Sequence, residues 1–139
     1  MNEEATIINI ASVGQAELDF DDLNTQNNYD GFLVCSRSKL VLIMFTFDLA
    51  EKLRSEVTDV NANHPATLMD TNMVKAHFGS SQSSVEQGLD AVTSLATTED
   101  VTGQFYDGKN RSKALNQADE KEARKKLKSI TEDNLSKYM

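Results

Sequence analysis

Apolar and polar positions along this chain fall into blocks whose period changes. Thr6 to Ala11 (Thr-Ile-Ile-Asn-Ile-Ala) is β-branched and nearly continuous in apolar character, as a parallel strand covered on both faces would be. Val13 to Asp30, with Gly14, Asn24, Asn27 and Asn28, loses that pattern and reads as a loop. From about Gly31 to Ser55 the period becomes helical. Leu40, Ile43, Met44, Phe47 and Ala50 form one stripe, and Val41, Phe45 and Leu49 form a second. Two stripes leave little polar face, so this helix wants a sheet on one side and a partner helix, from a second subunit, on the other.

Val57 to Asn63 is the next strand of an alternating plan, although Thr58, Asp59, Asn61 and Asn63 are polar for an interior parallel strand. His64 to Gly79 reads as a loop with a short helix near Met73. Ser83 and Glu86 have capping-box spacing and open a helix over 84–97, with Val85, Leu89, Val92 and Leu95 facing inward. Val101 to Tyr106 is a short strand. A last helix spans 119–135, capped by Asp119, with Ala123, Leu127 and Ile130 inward and Glu122–Lys126 as an i,i+4 pair. No repeat or low-complexity segment interrupts this order. Strand–helix–strand–helix–strand–helix implies an α/β fold of about three parallel strands in one domain over 1–139.

Composition narrows the class. With 26% charged and 39% hydrophobic residues, the 139-residue chain reads as one soluble globular domain, and 6% aromatics make its core thin. A net charge of -8 argues against nucleic acid or an anionic membrane surface as a partner, because both would repel it. Arg124, Lys125, Lys126 and Lys128 are interleaved with acids and read as a solvated helix face. The single cysteine excludes an internal disulfide, with a reducing compartment as the default. Met1-Asn2-Glu3-Glu4 lacks the positive region of a secretion signal, and the longest apolar run, Leu40 to Phe45, is far short of the roughly 20 residues a membrane span needs. The expectation is a cytoplasmic protein.

Three clusters invite a chemical reading and do not sustain it. Glu17, Asp19, Asp21 and Asp22 could attract a hard cation, but their spacing misses the calcium-loop pattern. Gly103 to Lys109 matches a phosphate loop's Gly-x-x-x-x-Gly-Lys, yet Asn110 stands where Ser or Thr is required. His64, His77 and Cys35 show no paired ligand spacing, so no metal is expected. A fourth grouping is more productive. Ser12 stands at the end of the first strand, and Cys35 and Lys39 stack at i,i+4 on one face of the helix that follows. A strand-end serine facing a lysine on the next helix can handle protons on a carbonyl or hydroxyl.

The words around these residues are Ile8-Asn9-Ile10-Ala11-Ser12, Ser38-Lys39-Leu40 and His64-Pro65-Ala66-Thr67-Leu68-Met69-Asp70-Thr71. They resemble the short-chain dehydrogenase/reductase family, and the resemblance covers nearly the whole chain but only the later half of that family's domain. It implies that Ser12 hydrogen-bonds a substrate oxygen and that Lys39 binds the nicotinamide ribose. The family's proton-exchanging tyrosine, four residues before the lysine, is replaced by Cys35, and Tyr29, ten residues before Lys39, lies on a different turn. A thiol titrates near 8.5 rather than about 10 and reaches much less far than a phenol, so hydride transfer should be greatly weakened. Pro65, Ala66, Thr67, Met69 and Thr71 occupy the segment that in the family touches the nicotinamide end, with Ala66 where glycine is commoner.

The family's glycine-rich phosphate turn has no counterpart. Gly14, Gly31, Gly79, Gly88, Gly103 and Gly108 nowhere form Gly-x-Gly-x-x-Gly. The resemblance therefore implies a partial Rossmann-like (doubly wound) layer lacking the N-terminal nucleotide-binding half. It implies an oxidoreductase unit using NAD or NADP on a small alcohol or carbonyl, weak or inactive as this chain alone. The first strand's free edge and the long helix imply a homo-oligomer, or pairing with another short-chain dehydrogenase subunit. The alternative is a non-catalytic remnant, an interaction module that pairs through the long helix.

Overall fold

Thr6, Ile7, Ile8 and Ile10 hold the backbone extended, and Ala5–Ile10 forms strand β1. In the computed structural model, which describes residues 5–139, it is followed by α1 (Gly31–Lys52), β2 (Thr58–His64), α2 (Asn72–Phe78) and α3 (Val85–Ala96). Then come β3 (Phe105–Asp107), β4 (Asn110–Ser112), α4 (Asn116–Asp119) and α5 (Lys121–Ser136). The sheet order is β1-β2-β3-β4. β1, β2 and β3 are parallel, with Ile10 opposite Asn63 and Ala62 opposite Phe105, while β4 turns back antiparallel to β3. The fold is α/β with three parallel strands, as expected, and among the described residues an antiparallel fourth strand, β4, is added at the edge.

Helix α1 starts where Asp30 caps it, the carboxylate accepting from the Leu33 N–H at 2.7 Å. Its sheet-facing stripe is Leu40, Ile43, Met44 and Ala50, all buried. These pack with Ala62 of β2, Phe105 of β3 and, from the C-terminal segment, Ala118, Ala123 and Leu127. The second stripe is not covered in the same way: Phe45 is 53% exposed. Val41, Leu42, Phe45 and Leu49 instead line a groove of about 690 Å³ with Leu127 and Thr131 of α5. Arg124, 6% exposed, fixes α5 beside α1. Its guanidinium donates to Asp48 at 2.7 Å, to Glu51 at 3.1 Å and to the Ala118 carbonyl at 2.8 Å, which pairs a cation that would be costly to bury alone.

The polar central strand has a specific solution. Residues alternate along β2, so Val60 and Ala62 face the core with α1 while Asn61 and Asn63 face the other way. Asn61 Nδ2 donates to the Val101 carbonyl at 2.5 Å and its Oδ1 accepts from the Gln104 N–H at 3.0 Å. Asn63 Nδ2 reaches the carbonyls of Gly108 (3.0 Å) and Tyr106 (3.4 Å). These amides bond the irregular approach to β3 and the turn after it as a strand ladder would. Over 101–104, expected as strand, the backbone bonds β2 through the Gly103 N–H to the Val60 carbonyl at 2.8 Å and the Ala62 N–H to the Gln104 carbonyl at 2.9 Å, but the regular strand begins at Phe105.

Other expectations shift for local reasons. Helix α1 ends at Lys52, before Ser55, because the chain turns through residues 53–57 to enter β2. The N-cap of α3 is Ser84, not Ser83, and it forms a capping box with Gln87, not Glu86. The buried face of α3 is Gly88, Ala91 and Leu95; Val85 and Leu89 are 48% and 64% exposed. Asp119 belongs to the short α4, and α5 begins after Glu120 with no side-chain cap. Glu122 pairs with Lys125 at 3.1 Å, while Lys126 lies 5.0 Å from the Phe20 ring centroid.

Asn61→Leu removes both amide bonds and strands the Gln104 N–H and Val101 carbonyl, so it should cost about 2–4 kcal/mol. Urea denaturation measures this. An unchanged midpoint would mean that the amide contributes nothing to joining β2 and β3.

Candidate active site

One hydrogen bond sets the height of α1 over β1. Asn9 Nδ2 donates to Thr46 Oγ1 at 2.9 Å. Because β1 and β2 are parallel, α1 must run back from the carboxyl end of β1, antiparallel to it. Lys39 lies seven residues before Thr46, two helical turns along the same face and about 10 Å nearer that end. Ser12 lies three residues after Asn9, also about 10 Å along. Residues 12 and 39 therefore come to one level at the carboxyl end of the sheet. Both are half-buried, and Lys39 also borders the α1–α5 groove. Cys35 sits one turn farther out, about 6 Å beyond, and is exposed.

Ser12 accepts the Gly14 N–H on Oγ at 2.9 Å, which leaves its hydroxyl proton available to another acceptor. Its carbonyl accepts from Gln15 Nε2 at 3.0 Å. Neither Lys39 nor Cys35 shares a side-chain hydrogen bond with it among the described residues.

The strand register brings in the third segment. Ile10 is opposite Asn63, and the Ala11 N–H continues the ladder to the Asn63 carbonyl at 2.8 Å, so Pro65 comes alongside Ser12. Pro65 is buried, Ala66 half-buried and Thr67 exposed. Leu68 adopts φ 45°, a conformation a branched side chain rarely takes, and its carbonyl accepts the Gln82 N–H at 2.9 Å. Met69 bridges to Ser83. Gly88 of α3 lets the helix lie on this loop: a Cβ there would collide with Met69 Sδ and touch Pro65 Cβ at 3.5 Å. Thr71 caps α2, accepting the Val74 N–H at 3.3 Å.

His64, weighed in the sequence only as a metal ligand without paired spacing, closes β2 beside Pro65. Its Nε2 lies 3.0 Å from Thr67 Oγ1. Burial pulls its pKa below the ordinary 6.5, an effect that Asp107 partly opposes. Elsewhere the acidic loop residues serve as turn acceptors, Asp22 taking the N–H groups of Gln26 and Asn27. No group of three or more His, Cys, Asp or Glu converges as ligands among the described residues. None of the described helices is long and apolar enough to cross a membrane.

The serine, the helix lysine and the proline loop all lie toward the carboxyl end of the parallel strands, where open α/β sheets bind their ligands. No family model matches the chain. Among curated proteins it is similar to retinol dehydrogenase 13 of Homo sapiens, with 29% identity over 141 residues, covering 87% of this chain and 43% of that one. Among solved structures it superposes on an uncharacterized protein from Mycobacterium Paratuberculosis, with TM-score 0.72, 18% identity, 94% of this chain and 50% of that one. It also superposes on NADPH-bound carbonyl reductase from chicken fatty liver, with TM-score 0.56, 23% identity, 79% of this chain and 42% of that one. These likenesses agree with a resemblance to the carboxyl-terminal part of short-chain dehydrogenase/reductase proteins. The chain spans less than half the length of the retinol dehydrogenase it matches.

The depressed pKa of His64 makes stability depend on pH. On acidification the unfolded chain takes up this proton first, so stability is complete above about pH 6.5 and is lost as pH falls toward the lowered folded value. Thermal denaturation between about pH 7 and about pH 5.5 should show this loss, and His64→Gln should flatten the profile. A wild-type profile already flat over that range would contradict burial of a neutral imidazole.

Proposed function

We propose that this chain is the catalytic-side unit of a nicotinamide-dependent oxidoreductase acting on a small alcohol or carbonyl. What supports the reading is the β1–β2 register with the Asn9–Thr46 bond, from which Ser12 and Lys39 are inferred to share a level at the carboxyl end of the parallel strands. The relatives' own names, retinol dehydrogenase and carbonyl reductase, support the substrate class.

Residues suited to the nicotinamide end are present, whereas those suited to the pyrophosphate are not. Lys39 would donate to ribose hydroxyls, and Pro65, Ala66, Thr67, Met69 and Thr71 would wall the nicotinamide. No glycine-rich turn offers N–H groups to phosphates. A bound nicotinamide supplies or accepts the hydride. Ser12 donates its free hydroxyl proton to the substrate oxygen and fixes its position. Cys35 stands where the proton donor belongs but on a side chain too short to reach as a phenol would, so turnover by this chain alone should be very low. The expected cytoplasmic location belongs to this proposal.

Thermal shift and fluorescence with NADPH and NADH test the reading. A response to either is expected, and Cys35→Tyr, assembled with an upstream half supplied as a separate chain, should raise carbonyl reduction by at least about tenfold. No response to either cofactor in both proteins would sink it.

The exposed face of α1 supports a second reading, a helix-mediated interaction module. Phe45 is more than half exposed between the partly buried Val41 and Leu49, and among the described residues β1 is paired on only one side. Sedimentation at micromolar concentration should find dimers or larger species, and Phe45→Glu should shift them to monomer. A wild-type monomer would contradict association through this face.

A further inference from the structure

The segment that carries Ser12 away from β1 has no helix or strand to hold it, yet it is tied down from almost a hundred residues away. Gln117, in the short α4, takes both backbone groups of Leu18: its Oε1 accepts the Leu18 N–H at 2.7 Å and its Nε2 donates to the Leu18 carbonyl at 3.1 Å. The side chain thus does for Leu18 what a neighbouring strand would do. Gln15 makes the reciprocal connection. Its Oε1 accepts the Leu115 N–H at 3.0 Å, and its Nε2 donates to the Ser12 carbonyl at 3.0 Å.

The two glutamines form a closed clamp between residues 12–18 and 115–117. Leu18, 6% exposed, is seated in the main core, and Ala118, one residue past Gln117, is fully buried in the same cluster. Both jaws are therefore anchored. Arg37 of α1 adds a lateral tie, donating to the Glu17 carbonyl at 3.0 Å and to Thr25 Oγ1 at 2.9 Å. Without the clamp, Ser12 is held by the end of the β1 ladder and its own contact with Gly14.

We propose that Gln15 and Gln117 are positioning residues for Ser12, coupling the C-terminal α4 segment to the site at the carboxyl end of the sheet. This rests on the role proposed above for that serine. Gln15 acts directly, by bonding the Ser12 carbonyl. Gln117 acts through Leu18, by fixing the far end of the same loop.

Backbone amide hydrogen exchange on the full chain tests it by NMR. In Gln117→Ala the Leu18 amide should exchange about tenfold faster or more, and in Gln15→Ala the Leu115 amide should do the same, with β2 amides unchanged. The Gly14 amide, which bonds Ser12 Oγ, should shift its resonance in Gln15→Ala. Gln117→Glu, which keeps the acceptor for Leu18, should restore that amide's protection and keeps the test open if Gln117→Ala does not fold. Exchange rising uniformly across the sheet, or unchanged at Leu18 and Leu115, would overturn the clamp. A Gly14 resonance that stays put would overturn the link to Ser12. Cofactor titration of the same samples separates the two ideas: its failure counts against the proposed activity, whereas exchange alone decides the clamp.

Discussion

Parallel pairing of β1 with β2 is the constraint from which the site follows. Two parallel neighbours cannot be joined by a tight turn, so the chain must travel back along the whole strand before starting again. Here it does so on a 22-residue helix, about 33 Å long, over a six-residue strand of about 20 Å. With Thr46 fixed to Asn9, the excess length projects beyond the carboxyl end of the sheet. Lys39 falls level with Ser12, whereas the first turn and Cys35 rise clear of it into solvent.

The same sheet shows how a central strand can be polar. Asn61 and Asn63 bury their side chains by bonding the backbone of the chain entering and leaving β3, replacing part of a ladder with side-chain amides. The arrangement specifies one register, because a shift of one residue would turn both amides toward the core that now holds Val60 and Ala62. Stability and alignment of the carboxyl end thus depend on the same two residues.

Much of this was legible in the sequence and some was not. The β-branched run at Thr6 to Ala11 and the apolar stripe from Leu40 to Ala50 placed β1 and α1 correctly, because strand and helix periods are local. The polarity of Val57 to Asn63 argued against a central strand, since composition cannot show that two amides find backbone partners forty residues later. Regular spacing of Val85 and Leu89 suggested an inward face, but a glycine allowed α3 to approach closer on its other side, against Pro65 and Met69. Strand β4 has three exposed residues and no apolar pattern to reveal it. The candidate site was proposed from an order of residues, serine then lysine then proline; the Asn9–Thr46 bond and the contacts of the two distant glutamines are long-range features without a local signal.

The most direct measurement of the account's central claim is a chemical ruler across the site. In a Cys35→Ser background carrying Ser12→Cys and Lys39→Cys, a short bis-maleimide should join the two introduced thiols within one molecule. Efficient labelling of each thiol by a monofunctional maleimide, with no intramolecular link from the short reagent, would contradict the shared level of residues 12 and 39.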